Sequence, residues 1–148
     1  MEVKQTKNQT IYLRLAKGES LLPTIQQVCQ QLNVTGGYFT GIGACNAATI
    51  ATYLPDKQDF IDHEFTGMLE LVSLTGNISL DHDQQPYLHA HASFSYLDAA
   101  QKVVLTGGHL KAATIGYTGE IVITPAGFAI QRQFDDAAGI DVWQLPTD

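Results

Sequence analysis

Two stretches decide the fold: Tyr87-Leu88-His89-Ala90-His91-Ala92-Ser93-Phe94-Ser95-Tyr96-Leu97 and Val103-Val104-Leu105-Thr106-Gly107-Gly108-His109-Leu110. Polar and apolar residues alternate along the first. In a strand, residues i and i+2 project to one face, roughly 7 Å apart. That rule places His89, His91, Ser93 and Ser95 on a polar face and Leu88, Ala90, Ala92 and Phe94 on an apolar one. The intervening Asp98-Ala99-Ala100-Gln101-Lys102 fits a five-residue hairpin loop. Such a loop pairs Leu97 with Val103 and sets His91 opposite His109 on the same face. A loop one residue shorter would send His109 to the other face. Gly107-Gly108 could restore the register through a bulge, or could mark a close backbone approach.

Three imidazoles brought together in this way can hold one Zn²⁺-like ion and leave a coordination position open. The competing reading is a half-buried sheet face that carries a few polar residues, histidine among them. Both stand on the residues alone.

Outward from this pair, Ile11 to Leu15 reads as a first strand. Ser20 suits a helix N-cap, and Leu21, Ile25, Val28, Cys29 and Leu32 recur at helical spacing, with Pro23 in the first turn, where no intrahelical donor is lost. Asn33 and Gly36-Gly37 end this helix. Beyond it, Tyr38 to Leu54 reads as strand-like, bent at Gly41 and Gly43. Pro55 to Asp59 reads as a turn. Phe60 to Leu74 follows, interrupted at Gly67, and Gly76-Asn77 reads as another turn before Ile78-Ser79-Leu80. Asp81 to Pro86 is a polar loop. Ile121 to Thr124 and Phe128 to Phe134 look like a final antiparallel pair joined through Pro125-Ala126-Gly127, with Phe128, Ile130 and Phe134 on one side. Many strands broken by a single early helix indicate an α+β fold, an antiparallel β-sheet with one main α-helix, rather than a repeating βαβ fold.

The chain has 148 residues, a length that suits one domain spanning residues 1–148. Hydrophobic residues make up 45% and charged residues 16%, which argues against disorder. No apolar run approaches the roughly 20 residues of a membrane helix, and Met1 to Lys7 lacks the apolar core of a signal peptide. A cytoplasmic location is therefore expected. Cys29 and Cys45 are too few for a disulfide framework and read as reduced core residues. Net charge is −7, and the eight basic residues are scattered. Nucleic-acid binding usually needs a basic stripe to meet phosphates, so direct binding to DNA is not expected.

Other chemistry is thin. There is no phosphate-loop motif, no dinucleotide fingerprint after Gly41-Ile42-Gly43 and no G-x-S-x-G elbow. Asp81-His82-Asp83, and His63 between Asp62 and Glu64, read as solvated charge clusters. Glu70 sits in Met68-Leu69-Glu70-Leu71-Val72, where it faces solvent by alternation or supports a histidine from behind. Glu120, before Ile121-Val122-Ile123, carries the same ambiguity.

Gly67-Met68-Leu69-Glu70-Leu71-Val72-Ser73-Leu74-Thr75-Gly76 resembles the G-x-x-E-[IL]-[LV]-S-L-[ST]-G segment of the PPC (plants and prokaryotes) domain family. His89-Ala90-His91-Ala92-Ser93 followed by Gly107-Gly108-His109-Leu110 is similar to that family's paired-histidine and glycine-histidine signatures. Gly41-Ile42-Gly43-Ala44, Ala48-Thr49, Arg132, Phe134, Asp135 and Gly139 fall in the expected order, so the resemblance spans about residues 10–145. It implies an α+β domain that assembles as a homotrimer, with a divalent metal ion, zinc by ligand type, on His89, His91 and His109. In plants the domain accompanies AT-hook DNA-binding motifs, which this sequence lacks.

The expectation is thus a stand-alone trimeric domain that binds a metal ion and a small ligand at it, in a regulatory role. The first alternative is a metal-dependent enzyme acting on a small molecule, with Glu70 and Glu120 as the nameable acid or base. The second is a DNA-associated protein, disfavoured by the charge. For contacts between subunits, Tyr38, Phe39 and Ile121-Val122-Ile123 are candidates, with an ordinary core role open for each.

Overall fold

Long strands that change partners along their length build the molecule. A computed structural model describes residues 1–146. Its elements are β1 (Glu2–Gln5), β2 (Ile11–Ala16), α1 (Leu21–Gln31), β3 (Gly37–Leu54), β4 (Asp59–Leu80), β5 (Pro86–Leu97), β6 (Val103–Pro125), β7 (Gln131–Asp135) and β8 (Ile140–Gln144). Six strands form one antiparallel sheet in the order β1-β2-β6-β3-β4-β5, and a further pairing of β6 with β5 closes β6, β3, β4 and β5 into a ring from which β2 and β1 extend. β7 and β8 make a separate hairpin. The fold is α+β, mostly antiparallel sheet with one short helix. Among the described residues no helix is long and apolar enough to cross a membrane.

The core follows from alternation. Ile11, Leu13 and Leu15 of β2 are buried and Tyr12, Arg14 and Ala16 between them are exposed. Ala90, Ala92 and Phe94 of β5 join Phe39, Leu69, Leu71, Leu74, Ile78, Leu110, Ile115, Ile121 and Ile123 in one apolar cluster. The helix seals it with Leu21, Ile25, Val28 and Cys29. Each fully buried side chain of this size contributes about 1.5–3 kcal/mol relative to exposure. Both cysteines are free and buried, and burial pushes the Cys29 thiol up to about 12 and the Cys45 thiol to about 11. Ser20 occupies the helix N-cap with extended backbone but makes no side-chain cap bond. Asn33, just past the helix, takes the left-handed conformation that ends it.

Several expectations are overturned. Glu2–Gln5 is a strand paired with β2, although its sequence lacks apolar alternation. Gly76-Asn77 is no turn: Gly76 lies inside β4, opposite Phe39 on one side and Ala90 on the other, and the Phe39 ring fills the space a side chain would need. Gly67 likewise does not interrupt β4. Val103–Leu110 and Ile121–Thr124 are parts of one strand, whose far end pairs with β2 and β3 and not with Phe128 to Phe134. Of that last segment only Gln131–Asp135 is strand, and it pairs with Ile140–Gln144. Ile130 is buried, while Phe128 and Phe134 are exposed. Phe39, Ile121 and Ile123 are core residues, which leaves Tyr38 and Val122 of the suggested contact set on the outer face.

Candidate metal centre

The five-residue loop sets the geometry. Asp98 accepts hydrogen bonds from the Ala100 and Lys102 amides at 2.8 and 2.9 Å, and its own amide donates to the Lys102 carbonyl at 2.9 Å. The loop holds Leu97 opposite Val103, and the ladder runs without a break to His91 opposite His109. No bulge intervenes at Gly107-Gly108. A side chain at Gly107 would stand 2.7 Å from the Ala92 carbonyl, and one at Gly108 would stand 3.0 Å from the Ala51 carbonyl. These glycines therefore let β6 thread closely between β5 and β3. The irregularity of this strand lies just beyond, where Thr49 faces Ala112 and Ile50 faces Leu110.

His89, His91 and His109 meet on the outer face. Their ring centroids are 5.3, 5.2 and 5.5 Å apart, and one ligand nitrogen from each can be chosen so that all lie within 4.8 Å of one another. Tetrahedral coordination at about 2.0–2.1 Å spaces three nitrogens roughly 3.4 Å apart. Small side-chain rotations close the remaining gap, so the donor set fits an ion of this kind. Burial holds the His89 imidazole below its ordinary value, with His91 and then Arg132 adding to the effect. Burial does the same at His109, reinforced by His89, His91 and Lys111. Both shifts favour the neutral, lone-pair-bearing form that a metal requires.

The chain does not bring either glutamate to this cluster. Glu70 is exposed and pairs with Ser95 and Ala44. Ser95 lies four residues along β5 from His91, which is roughly 13 Å of strand. Glu120 is exposed between Arg14 and Ile42, on another part of the sheet. As a support for the histidines from within this chain, both are corrected. His63 meets Thr52 at 3.2 Å, and His82 pairs with Asp141 at 3.1 Å at the surface.

Neighbours absent from the sequence reading of the site do reach it. The Phe60 ring lies 5.5 Å from His109, and the Tyr53 ring meets Phe60 edge-on at 5.2 Å. Arg132 stacks over Tyr87, which shares the outer face of β5 with His89. Tyr53 and Phe60 face each other across the β3–β4 turn, but the approaches of Phe60 to His109 and of Arg132 to Tyr87 join segments far apart in the chain, and nothing in local sequence marks them.

The register also links the cluster to the rest of the outer face. Across the sheet, Lys4, Tyr12, Val122, Thr40, Thr75 and His91 stand in one paired row. At its far end, Val3, Tyr12, Arg14, Ile42, Glu120 and Val122 line an open concavity of about 750 Å³.

A family model described as the Plants and Prokaryotes Conserved (PCC) domain matches residues 3–127. No curated protein matches. Among solved structures, a metal-containing protein from Archaeoglobus fulgidus is 28% identical, with a TM-score of 0.80 and 97% of each chain covered. A plant- and prokaryote-conserved (PPC) protein from Pyrococcus horikoshii is 27% identical, with a TM-score of 0.79, over 99% of this chain and 96% of that one. A candidate DNA-binding protein from Bacteroides thetaiotaomicron is 24% identical, with a TM-score of 0.84 over 97% and 96%, a likeness of fold. The match begins earlier than the residues that suggested the resemblance, taking in β1, and it stops before the β7–β8 hairpin.

Proposed function

This chain belongs to the Plants and Prokaryotes Conserved domain family, and from that premise we propose that it binds one divalent metal ion, zinc by the character of its ligands, on His89, His91 and His109. The observation that carries this reading is the convergence of three imidazoles from two strands, all within 4.8 Å. The metal-containing relative supports it. His89 and His91 come from one strand and His109 from its neighbour, so the trio rests on rigid sheet and needs little reorganisation to close. When bound, the ion supplies Lewis acidity at a coordination position that the three histidines leave open. The chain's own part is to favour the neutral form of His89 and His109 and to aim the three imidazoles at one point. It offers no general acid or base within this group, which favours a binding and regulatory role over the enzymatic alternative.

We place the protein in the cytoplasm, as one domain in a homotrimer. The exposed apolar residues Val3, Tyr12, Tyr38 and Ile42 on the outer face support assembly, since an apolar concavity of this size is seldom left open to water. Direct nucleic-acid binding is disfavoured. Of the eight basic side chains, Arg14 and Lys111 are paired with Glu2 and Asp62, and Lys17 and Arg132 lie over tyrosine rings. That leaves few cations to align along phosphates.

Metal analysis of protein purified without a polyhistidine tag tests the metal reading. Close to one equivalent per chain is expected, falling to background in His91→Ala with little change in circular dichroism or melting temperature. Background metal in the unaltered protein after incubation with Zn²⁺ at neutral pH would end the hypothesis. Unfolding of His91→Ala would make the metal structural instead.

A further inference from the structure

Arg132 comes from the β7–β8 hairpin, outside the family match, yet it packs on Tyr87 beside the histidine cluster. Its guanidinium carbon stands 4.4 Å from the centroid of the Tyr87 ring, and one Nη donates to the Asp141 carbonyl. Tyr87 and His89 are i and i+2 on the exposed face of β5, so this cation stands at the His89 side of the triangle. On the His109 side a second cation, Lys111, is neutralised by Asp62 at 2.7 Å. Among the described residues Arg132 has no carboxylate partner. A guanidinium carries five N–H donors in one plane. Stacking on Tyr87 occupies a face, and the Asp141 carbonyl takes one donor, so edge donors remain for an anion. Across the triangle, Phe60 and Tyr53 present rings that are 46% and 47% exposed.

Resting on the reading that the three histidines hold a metal, we propose that the site takes a small organic carboxylate with an apolar body. The carboxylate lies between the open side of the histidine triangle and the edge of Arg132, and the body packs on Phe60 and Tyr53. An arginine fork matches the planar carboxylate in two-point contact. Inorganic phosphate would satisfy Arg132 equally but would leave the aromatic pair facing water, so the aromatic pair selects the organic acid.

Phenylacetate is the probe, with acetate and inorganic phosphate as comparisons, titrated into full-length protein loaded with Co²⁺. Binding is followed by calorimetry and by the visible absorption of the ion, after Co²⁺ stoichiometry has been measured. Failure to take up Co²⁺ overturns the histidine reading and this proposal with it. A loaded protein that ignores phenylacetate overturns this proposal alone. Phenylacetate is expected to bind at least about tenfold more tightly than either comparison. Arg132→Gln should weaken it about tenfold or more with Co²⁺ uptake unchanged. Arg132→Lys, which keeps the charge over Tyr87 but loses the fork, should fall between. Phe60→Ala should weaken phenylacetate while leaving acetate alone. An arginine that merely fastens the hairpin would lower the melting temperature of Arg132→Gln without moving the phenylacetate Kd, and that result, or phosphate binding more tightly than phenylacetate, overturns the assignment.

Discussion

His89 and His109 are held below their ordinary value of 6.5, burial being the first cause at each. In the unfolded chain the same imidazoles regain that ordinary value and bind protons more readily. The unfolded state therefore takes up more protons as pH falls, and stability must fall with it. For metal-free protein, urea denaturation should show stability level above pH of about 6.5 and declining below it, until pH passes the lowered folded values. Replacing both residues together, His89→Gln with His109→Gln, should flatten that decline, and an unchanged slope would show that other groups carry it. At this scale the histidine trio was legible because the loop length and the two-residue period together fix which side chains share a face. Arg132, Phe60 and Tyr53 were not legible as neighbours of the trio. Arg132 comes beside it through a hairpin and Phe60 through a different turn, and no period in the sequence encodes either approach.

Among the elements, β4 shows how glycine misleads a sequence reading. A glycine between apolar runs looks like punctuation, and Gly67 and Gly76 read that way in the sequence. In the sheet Gly76 instead makes room for the Phe39 ring, while Gly107, for which a close approach was one of the two readings, passes the Ala92 carbonyl. The period within each short run was right, and the joins between runs were wrong, because strand continuity depends on neighbours that sequence alone does not display. The N-terminal strand was missed for a related reason. Glu2–Gln5 is exposed throughout and owes its extended form to pairing with β2. Gly107→Ala offers a direct check of the close-approach reading. A methyl group 2.7 Å from a backbone oxygen must push β5 and β6 apart. Chemical denaturation should record a loss of about 1–3 kcal/mol, and metal retention should fall with it, since His91 and His109 face each other across the same two strands.

For the whole molecule, the paired row from Lys4 through Thr40 to His91 makes the apolar concavity and the histidine cluster parts of one outer surface. Covering the first by a second copy brings that copy toward the second. Light scattering should give about three times 16.1 kDa, and a mass near 16.1 kDa at all concentrations would remove the trimer. Tyr12→Glu should shift the mass toward the single chain by placing a charge in the contact. The α+β class was legible from the count of strands and the one helix, whereas the ring was not, because it depends on one strand pairing with three others. That strand also imposes an order in time. β2, β3 and β5 all lean on β6, which is nearly the last part of the sheet to be made. During synthesis at about 5–20 residues per second, the earlier strands must wait several seconds with their apolar faces uncovered. A fragment ending at Lys102 should accordingly fail to fold, showing no cooperative melting and a tendency to precipitate. In the cell, the newborn chain would depend on chaperones until its final third has left the ribosome.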